Sequence, residues 1–152
     1  MPSDKPVLSK TAEYALRALL VLAHRGRGKP LPSATIAQLT GAPTNYLSKT
    51  LFTLARAGLV RSSRGRTGGF ELATSPAEIT VAQIADVFAE PFAPRQCLLG
   101  TGRCNAAAPC VAHHRWMRLT SEVHGALSTT TIASLLADGE QRAFPAGIPG
   151  IS

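Results

Sequence analysis

Apolar residues recur at helical spacing near the start of the chain. Ala12, Ala15, Leu16, Leu19, Leu20 and Ala23 share one face, and Ser9 stands where a helix cap belongs. The pattern predicts an amphipathic helix running to about His24, after a loose polar start over residues 1–7. Gly26 to Pro32 break the period. Ser33 is then expected to cap a short second helix through Leu39, and Gly41 to make a turn. Thr44 or Asn45 opens a third helix ending at Gly58, with Leu47, Leu51 and Leu54 as its inner face. Leu59-Val60-Arg61 and Phe70-Glu71-Leu72 flank the turn-rich stretch Arg64-Gly65-Arg66-Thr67-Gly68-Gly69 and predict a β-hairpin. Thr80-x-x-Gln83 is a capping box that starts a fourth helix, through Val87 or Phe88.

Residues 89–109 hold three Pro and two Gly and form no periodic pattern. This irregular loop carries Cys97 and Cys104, and Cys110 follows directly. A long helix is expected from about Pro109 to Ser128. Its apolar positions Ala112, Trp116, Leu119, Val123 and Ala126 are spaced 4-3-4-3, the spacing of a coiled-coil seam and equally of a helix packed on its own domain. Thr130 is expected to cap a last short helix through Leu136, and residues 139–152, rich in Gly and Pro, read as a disordered tail.

The fold these elements predict is mainly α: a winged helix-turn-helix domain with a small β-hairpin wing, plus a long C-terminal helix suited to dimerisation. The winged helix-turn-helix occupies residues 1–88, the cysteine loop 89–109, and the dimerisation helix with the short terminal helix 109–138. Ala37, Gly41 and Leu47, four and six apart, supply the helix-turn-helix pattern. A small residue lets the two helices approach, glycine takes the left-handed turn, and leucine anchors the second helix. The hairpin directly after it makes the pattern much more specific.

Charge sharpens this picture. Residues 1–73 hold eleven Lys and Arg against three Asp and Glu, a net of +8, while residues 74–152 hold five against six, a net of −1. A basic excess confined to one module is the footprint of a polyanion partner such as double-stranded DNA. On the third helix, Thr44, Asn45, Ser48 and Lys49 lie away from the leucines, with Tyr46 beside them. They form a polar face suited to reading a groove. Arg61, Arg64 and Arg66 decorate the hairpin, where glycines let the tip approach a phosphate backbone and Arg suits a narrow minor groove.

No apolar run reaches the roughly 18 residues of a membrane span. The stretch Ala15–Ala23 contains Arg17 and follows Glu13, with no cleavage site after it, unlike a signal peptide. A cytoplasmic protein without a membrane partner is expected, in a compartment where thiols stay reduced. The three cysteines are an odd number spaced C-x6-C-x5-C, so a disulfide framework does not explain them. Structural zinc sites use tighter pairs, and wide spacing on a loop suits an iron–sulfur cluster. One or two buried cysteines plus a spare would also produce it. Cys110 is expected near a helix N-terminus, where the dipole favours thiolate, with His113 one turn on along the same face.

Several stretches together resemble winged-helix regulators of the IscR/NsrR (Rrf-two) type. They are Leu8-Ser9-Lys10-Thr11-Ala12-Glu13-Tyr14-Ala15-Leu16-Arg17, Tyr46-Leu47-Ser48-Lys49, Ala57-Gly58-Leu59-Val60, Arg64 through Phe70, and Ile79-Thr80 with Ile84. The resemblance covers roughly residues 8–136. It implies a homodimer crossed by the long C-terminal helices and an iron–sulfur cluster on Cys97, Cys104 and Cys110. Members sense iron–sulfur supply, nitric oxide or redox state. Many repress transcription and some activate it. His113 and Trp116 resemble the Cys-x-x-His-x-x-Trp of the IscR branch, where the histidine completes a 2Fe–2S site. Glu13 aligns instead with an acidic ligand that NsrR-like members lend from the partner subunit, an arrangement that goes with a 4Fe–4S cluster. The first cysteine gap holds six residues rather than the family's usual five, a departure that bears on cluster type.

The leading expectation is therefore a cluster-sensing repressor on a roughly palindromic operator. Its rival is a DNA-binding regulator whose cysteines hold zinc or nothing and which acts through a protein partner. An enzyme using Cys110 and His113 would need an orienting third group, and no motif supplies one.

Overall fold

The computed structural model describes residues 8–88, 97–100 and 102–141. The start at 1–7, the first part of the cysteine loop at 89–96, residue 101 and the tail from 142 lie outside the described residues. The element order is α1 (Lys10–Val21), a π-helical turn (Leu22–Gly26), α2 (Ser33–Thr40), α3 (Thr44–Arg56), β1 (Val60–Ser63), β2 (Gly69–Leu72), α4 (Val81–Val87), α5 (His113–Thr129) and α6 (Ile132–Gln141). This is the expected winged helix-turn-helix followed by a long helix.

One core organises the N-terminal elements. Leu19 and Val21 of α1, Ile36 of α2, Leu47, Leu51 and Leu54 of α3, Val60 and Phe70 of the hairpin and Ile84 of α4 are all out of water. Ile132 of α6 joins the same cluster. Two buried threonines stay satisfied by donating to helix carbonyls: Thr40 Oγ1 to Ile36 O at 2.8 Å and Thr50 Oγ1 to Tyr46 O at 3.0 Å. The helix-turn-helix joint is built as its residue types require. Ala37 and Leu47 are buried, and Gly41 ends α2 in the left-handed region at φ 70°.

β1 and β2 are antiparallel, with Val60 opposite Leu72 and Ser63 opposite Gly69. The chain before α2 adds to their edge: Leu31 N–H donates to Phe70 O at 2.9 Å and Phe70 N–H to Leu31 O at 2.8 Å. A Cβ on Gly69 would lie 2.3 Å from Leu31 O, and one on Gly68 2.4 Å from Ser63 O, so both positions require glycine.

Four local expectations are corrected. Ser33 is the first residue of α2 and makes no cap; Pro32, extended at φ −60° and ψ 144°, takes the cap position. The long helix begins at His113, not Pro109, because Cys110 to Ala112 forms a separate turn closed by His113 N–H to Cys110 O at 3.0 Å. Cys110 therefore precedes the helix and shares no helical face with His113. The last helix is capped by Thr131, whose Oγ1 accepts from Ser134 N–H at 3.0 Å while Ser134 Oγ accepts from Thr131 N–H at 2.9 Å. Thr130 instead ends α5. Finally, α6 runs on past Leu136 to Gln141, taking in residues 139–141 that were expected in the tail.

α5 differs from every other long helix: only His113 is buried. Met117, Leu119 and Val123 are 43%, 53% and 42% exposed. It packs against α4, and Val81 N–H donates to Thr130 O at 2.9 Å where α5 ends.

Candidate functional site

The two faces of α3 separate cleanly. Leu47, Thr50, Leu51 and Leu54 are buried, while Thr44, Asn45 and Lys49 are exposed and Ser48 is half-buried. Ser48 Oγ donates to Thr44 O at 3.0 Å, which leaves its lone pairs outward. The cap residue Pro43 offers no side-chain acceptor, so the first N–H groups of α3 meet no capping side chain. Tyr46 behaves differently from its neighbours. Its hydroxyl is hydrogen-bonded to Thr11 Oγ1, and its ring stands edge-on to Tyr14 at 5.7 Å.

That contact brings α1 into the same surface, which the sequence pattern did not predict. Lys10, Tyr14, Pro43, Asn45, Tyr46 and Lys49 line one shallow depression. Lys10, Tyr14 and Arg17 form an i, i+4, i+7 stripe opposite the apolar face of α1, a signal present in the sequence. Lys10 Nζ and Arg17 Cζ sit 5.6 Å and 5.8 Å from the Tyr14 ring centroid. Arg17 turns inward and donates to Thr40 O at 3.4 Å, closing the end of α2.

On the hairpin, Arg61 faces Glu71 across the strands, with its guanidinium 3.4 Å from the carboxylate. Arg64 and Arg66 are exposed at the tip, where Gly65 takes φ 100° and Gly68 N–H closes the turn on Gly65 O at 3.0 Å. Arg64 and Arg66 thus present charge outward, while Arg61 is partly neutralised.

The cysteines come partly together. Cys97 is buried, Cys104 and Cys110 are half-buried, and none of the three forms a disulfide. Cys97 Sγ lies 3.4 Å from Cys110 Sγ. The Cys97 turn is held by its N–H to Gly102 O at 2.8 Å and by Gly100 N–H to Cys97 O at 2.9 Å. Removal from water, and then the nearby Cys97 and Cys110, push the Cys104 thiol up from its ordinary value. His113 is buried with its ring edge-on to His114 at 5.5 Å. Glu13 lies on α1, 3.1 Å from Lys10 Nζ. Among the described residues, no three Cys, His, Asp or Glu side chains converge tightly enough to hold a metal ion.

The donor type is compatible with an iron–sulfur group, whose usual ligands are cysteine thiolates. Two thiolates on one metal ion, whether zinc or a single iron of a 2Fe–2S cluster, with bonds of about 2.3 Å at a tetrahedral angle, lie roughly 3.8 Å apart. The Cys97–Cys110 separation of 3.4 Å is close to that spacing. Cys104 and a fourth group would complete the shell by moving in.

Comparison with known proteins agrees with this architecture. IscR of Vibrio vulnificus (strain YJ016), an HTH-type transcriptional regulator, is 30% identical over 133 residues, covering 88% of this chain and 79% of its own. The structure of CymR, the global cysteine regulator of B. subtilis, superposes with a TM-score of 0.74 at 28% identity, over 86% of this chain and 96% of that one. T. potens IscR does so at 0.71 and 28% identity, over 92% and 93%. No described helix is long and apolar enough to cross a membrane. The family model for Rrf2, iron-dependent transcriptional regulators, matches residues 8–138. The chain belongs to the Rrf2 family and is a DNA-binding transcriptional regulator, not an enzyme.

Proposed function

We propose that this regulator is a cytoplasmic iron–sulfur sensor that represses transcription as a homodimer on a roughly palindromic operator. The observation that carries the sensor reading is the 3.4 Å approach of Cys97 and Cys110 beside a third cysteine, on the segment that leads into α5. Cys97, Cys104 and Cys110 would hold the cluster, with His113 as fourth ligand and Glu13 as the alternative. The 2Fe–2S form goes with His113 and the 4Fe–4S form with Glu13. A bound cluster supplies a redox- and ligand-sensitive centre whose loss can be sensed. The chain's own residues would carry that event onward. The Cys110 turn is hydrogen-bonded to the first residue of α5, and α5 packs on α4, which in turn packs on α1.

DNA contact falls to Thr44, Asn45, Ser48 and Lys49 in the major groove, with Arg64 and Arg66 on the wing and Arg61 at its stem. The exposed Met117, Leu119 and Val123 support a dimer built along α5. Such a dimer presents two recognition helices, which a two-fold operator matches.

A second reading has a specific observation behind it. The neighbour CymR is a global cysteine regulator. This chain would then hold zinc or nothing on its thiols and act through a protein partner. Anaerobic purification with iron and acid-labile sulfide analysis separates the two. The sensor reading expects a coloured protein with both elements and a DNA affinity that changes when they are removed. Colourless protein lacking iron and sulfide, even after anaerobic reconstitution, would discard it. Reconstituted His113→Ala should show an altered visible spectrum and shorter cluster lifetime. An altered spectrum in Glu13→Ala alone would transfer the fourth position to Glu13.

A further inference from the structure

The depression between α1 and α3 carries one ammonium from each helix, Lys10 and Lys49, around an aromatic floor of Tyr14 and Tyr46. Among the described residues, no carboxylate lines it. The floor is fixed, because Tyr46 is tied to Thr11 through its hydroxyl and abuts Tyr14 at 71° between ring planes. Lys10 is 65% exposed, and its contact with Glu13 is an exposed i, i+3 pair. Such pairs are weak, so the ammonium can leave Glu13 for a stronger anion. Asn45, from the outward face of α3, lines the same depression. The anion nearest a helix lying in the major groove is the phosphate backbone at the groove's edge.

We propose that this depression seats a backbone phosphate of duplex DNA between Lys10 and Lys49. α1 is then part of the DNA-binding surface, and Tyr46 is a positioning residue that sets α3 against α1, not a reader of bases. This rests on the reading that α3 enters DNA, and the test keeps the two separable.

Affinity for a fluorescent mixed-sequence duplex is measured against salt concentration for wild type, Lys10→Ala, Lys10→Arg and Arg66→Ala. Lys10→Ala should bind about tenfold more weakly at low salt, with its log–log salt slope reduced by about 1 per subunit. Lys10→Arg should keep the wild-type slope. Binding by wild type with an unchanged slope in Lys10→Ala overturns the phosphate seat while leaving DNA binding intact. A wild type that binds no duplex removes the DNA reading and the seat together. Displacement by inorganic phosphate well beyond chloride at equal ionic strength would assign the seat to a free anion and overturn the proposal. Tyr46→Phe should weaken every duplex by the same factor, and a changed base preference would return Tyr46 to the readers.

Discussion

Helix α1 takes Ala12, Ala15, Ala18, Leu19, Leu20 and Val21 out of water within twelve residues, whereas α5, seventeen residues long, buries His113 alone. Both helices are amphipathic, so the difference lies in what each meets. α1 packs against α2, α3, α4 and α6. α5 packs against α4 but leaves Leu119 and Val123 in solvent. A large aliphatic side chain gains about 1.5–3 kcal/mol on full burial. The reading head has collected that gain within one chain, and α5 has not. One region is a finished core, and the other leaves an apolar edge uncovered, as the proposed dimer along α5 requires.

Four substitutions probe that contrast. The largest effect is expected from Leu119→Asp. In a two-fold dimer it places two carboxylates in the seam, costing about 4 kcal/mol or more of association, roughly a thousandfold in Kd. Sedimentation should show wild-type dimer and variant monomer at micromolar concentration, with circular dichroism unchanged. A wild-type monomer would break the comparison outright. Next, Leu51→Ala should cost about 3 kcal/mol of folding stability, within the roughly 2–5 kcal/mol range for truncated core leucines. Urea unfolding reads this, and a loss below about 1 kcal/mol would show the core to be less complete than its burial indicates. Gly69→Ala should cost about 2 kcal/mol, because the new Cβ meets the Leu31 backbone and φ is 151°. Duplex affinity should fall with it, since the hairpin must shift. Thr80→Ala removes one arm of the capping box and should cost about 1 kcal/mol, seen as a fall of a few degrees in Tm.

Much of this architecture was readable because the relevant signals are local. The Thr80–Gln83 box depends on residues three apart, and the α3 leucines on a 3.6-residue period, and both emerge as expected. The misplaced caps show the limit. Ser33 and Thr130 are good cap residues by type, but Pro32 already occupies the extended cap conformation, and Thr131 has Ser134 to close the reciprocal pair. The π-helical turn at Leu22–Gly26 left no mark beyond Gly26. At the candidate site, which side chains face outward on α3 followed from periodicity. The tie between Tyr46 and Thr11 did not, because its partners are 35 residues apart and meet only through tertiary packing. The cysteine spacing pointed to a shared ligand, but the approach of Cys97 to Cys110 across thirteen residues depends on turns around glycines whose conformation spacing alone does not dictate.

The wing is anchored at two places: to Leu31 by two backbone hydrogen bonds, and to α3 by Phe52 standing edge-on to Phe70 at 5.4 Å. These contacts hold the stem of the hairpin in place against α3. The distance between the arginine tip and the face of α3 is built in, and the protein acts as a caliper with a single setting. Under the proposed DNA reading, a duplex that accepts both would present a narrow minor groove at that offset from the bases facing α3. Sequences that bend or narrow there with little effort are favoured, including at base pairs no side chain reaches.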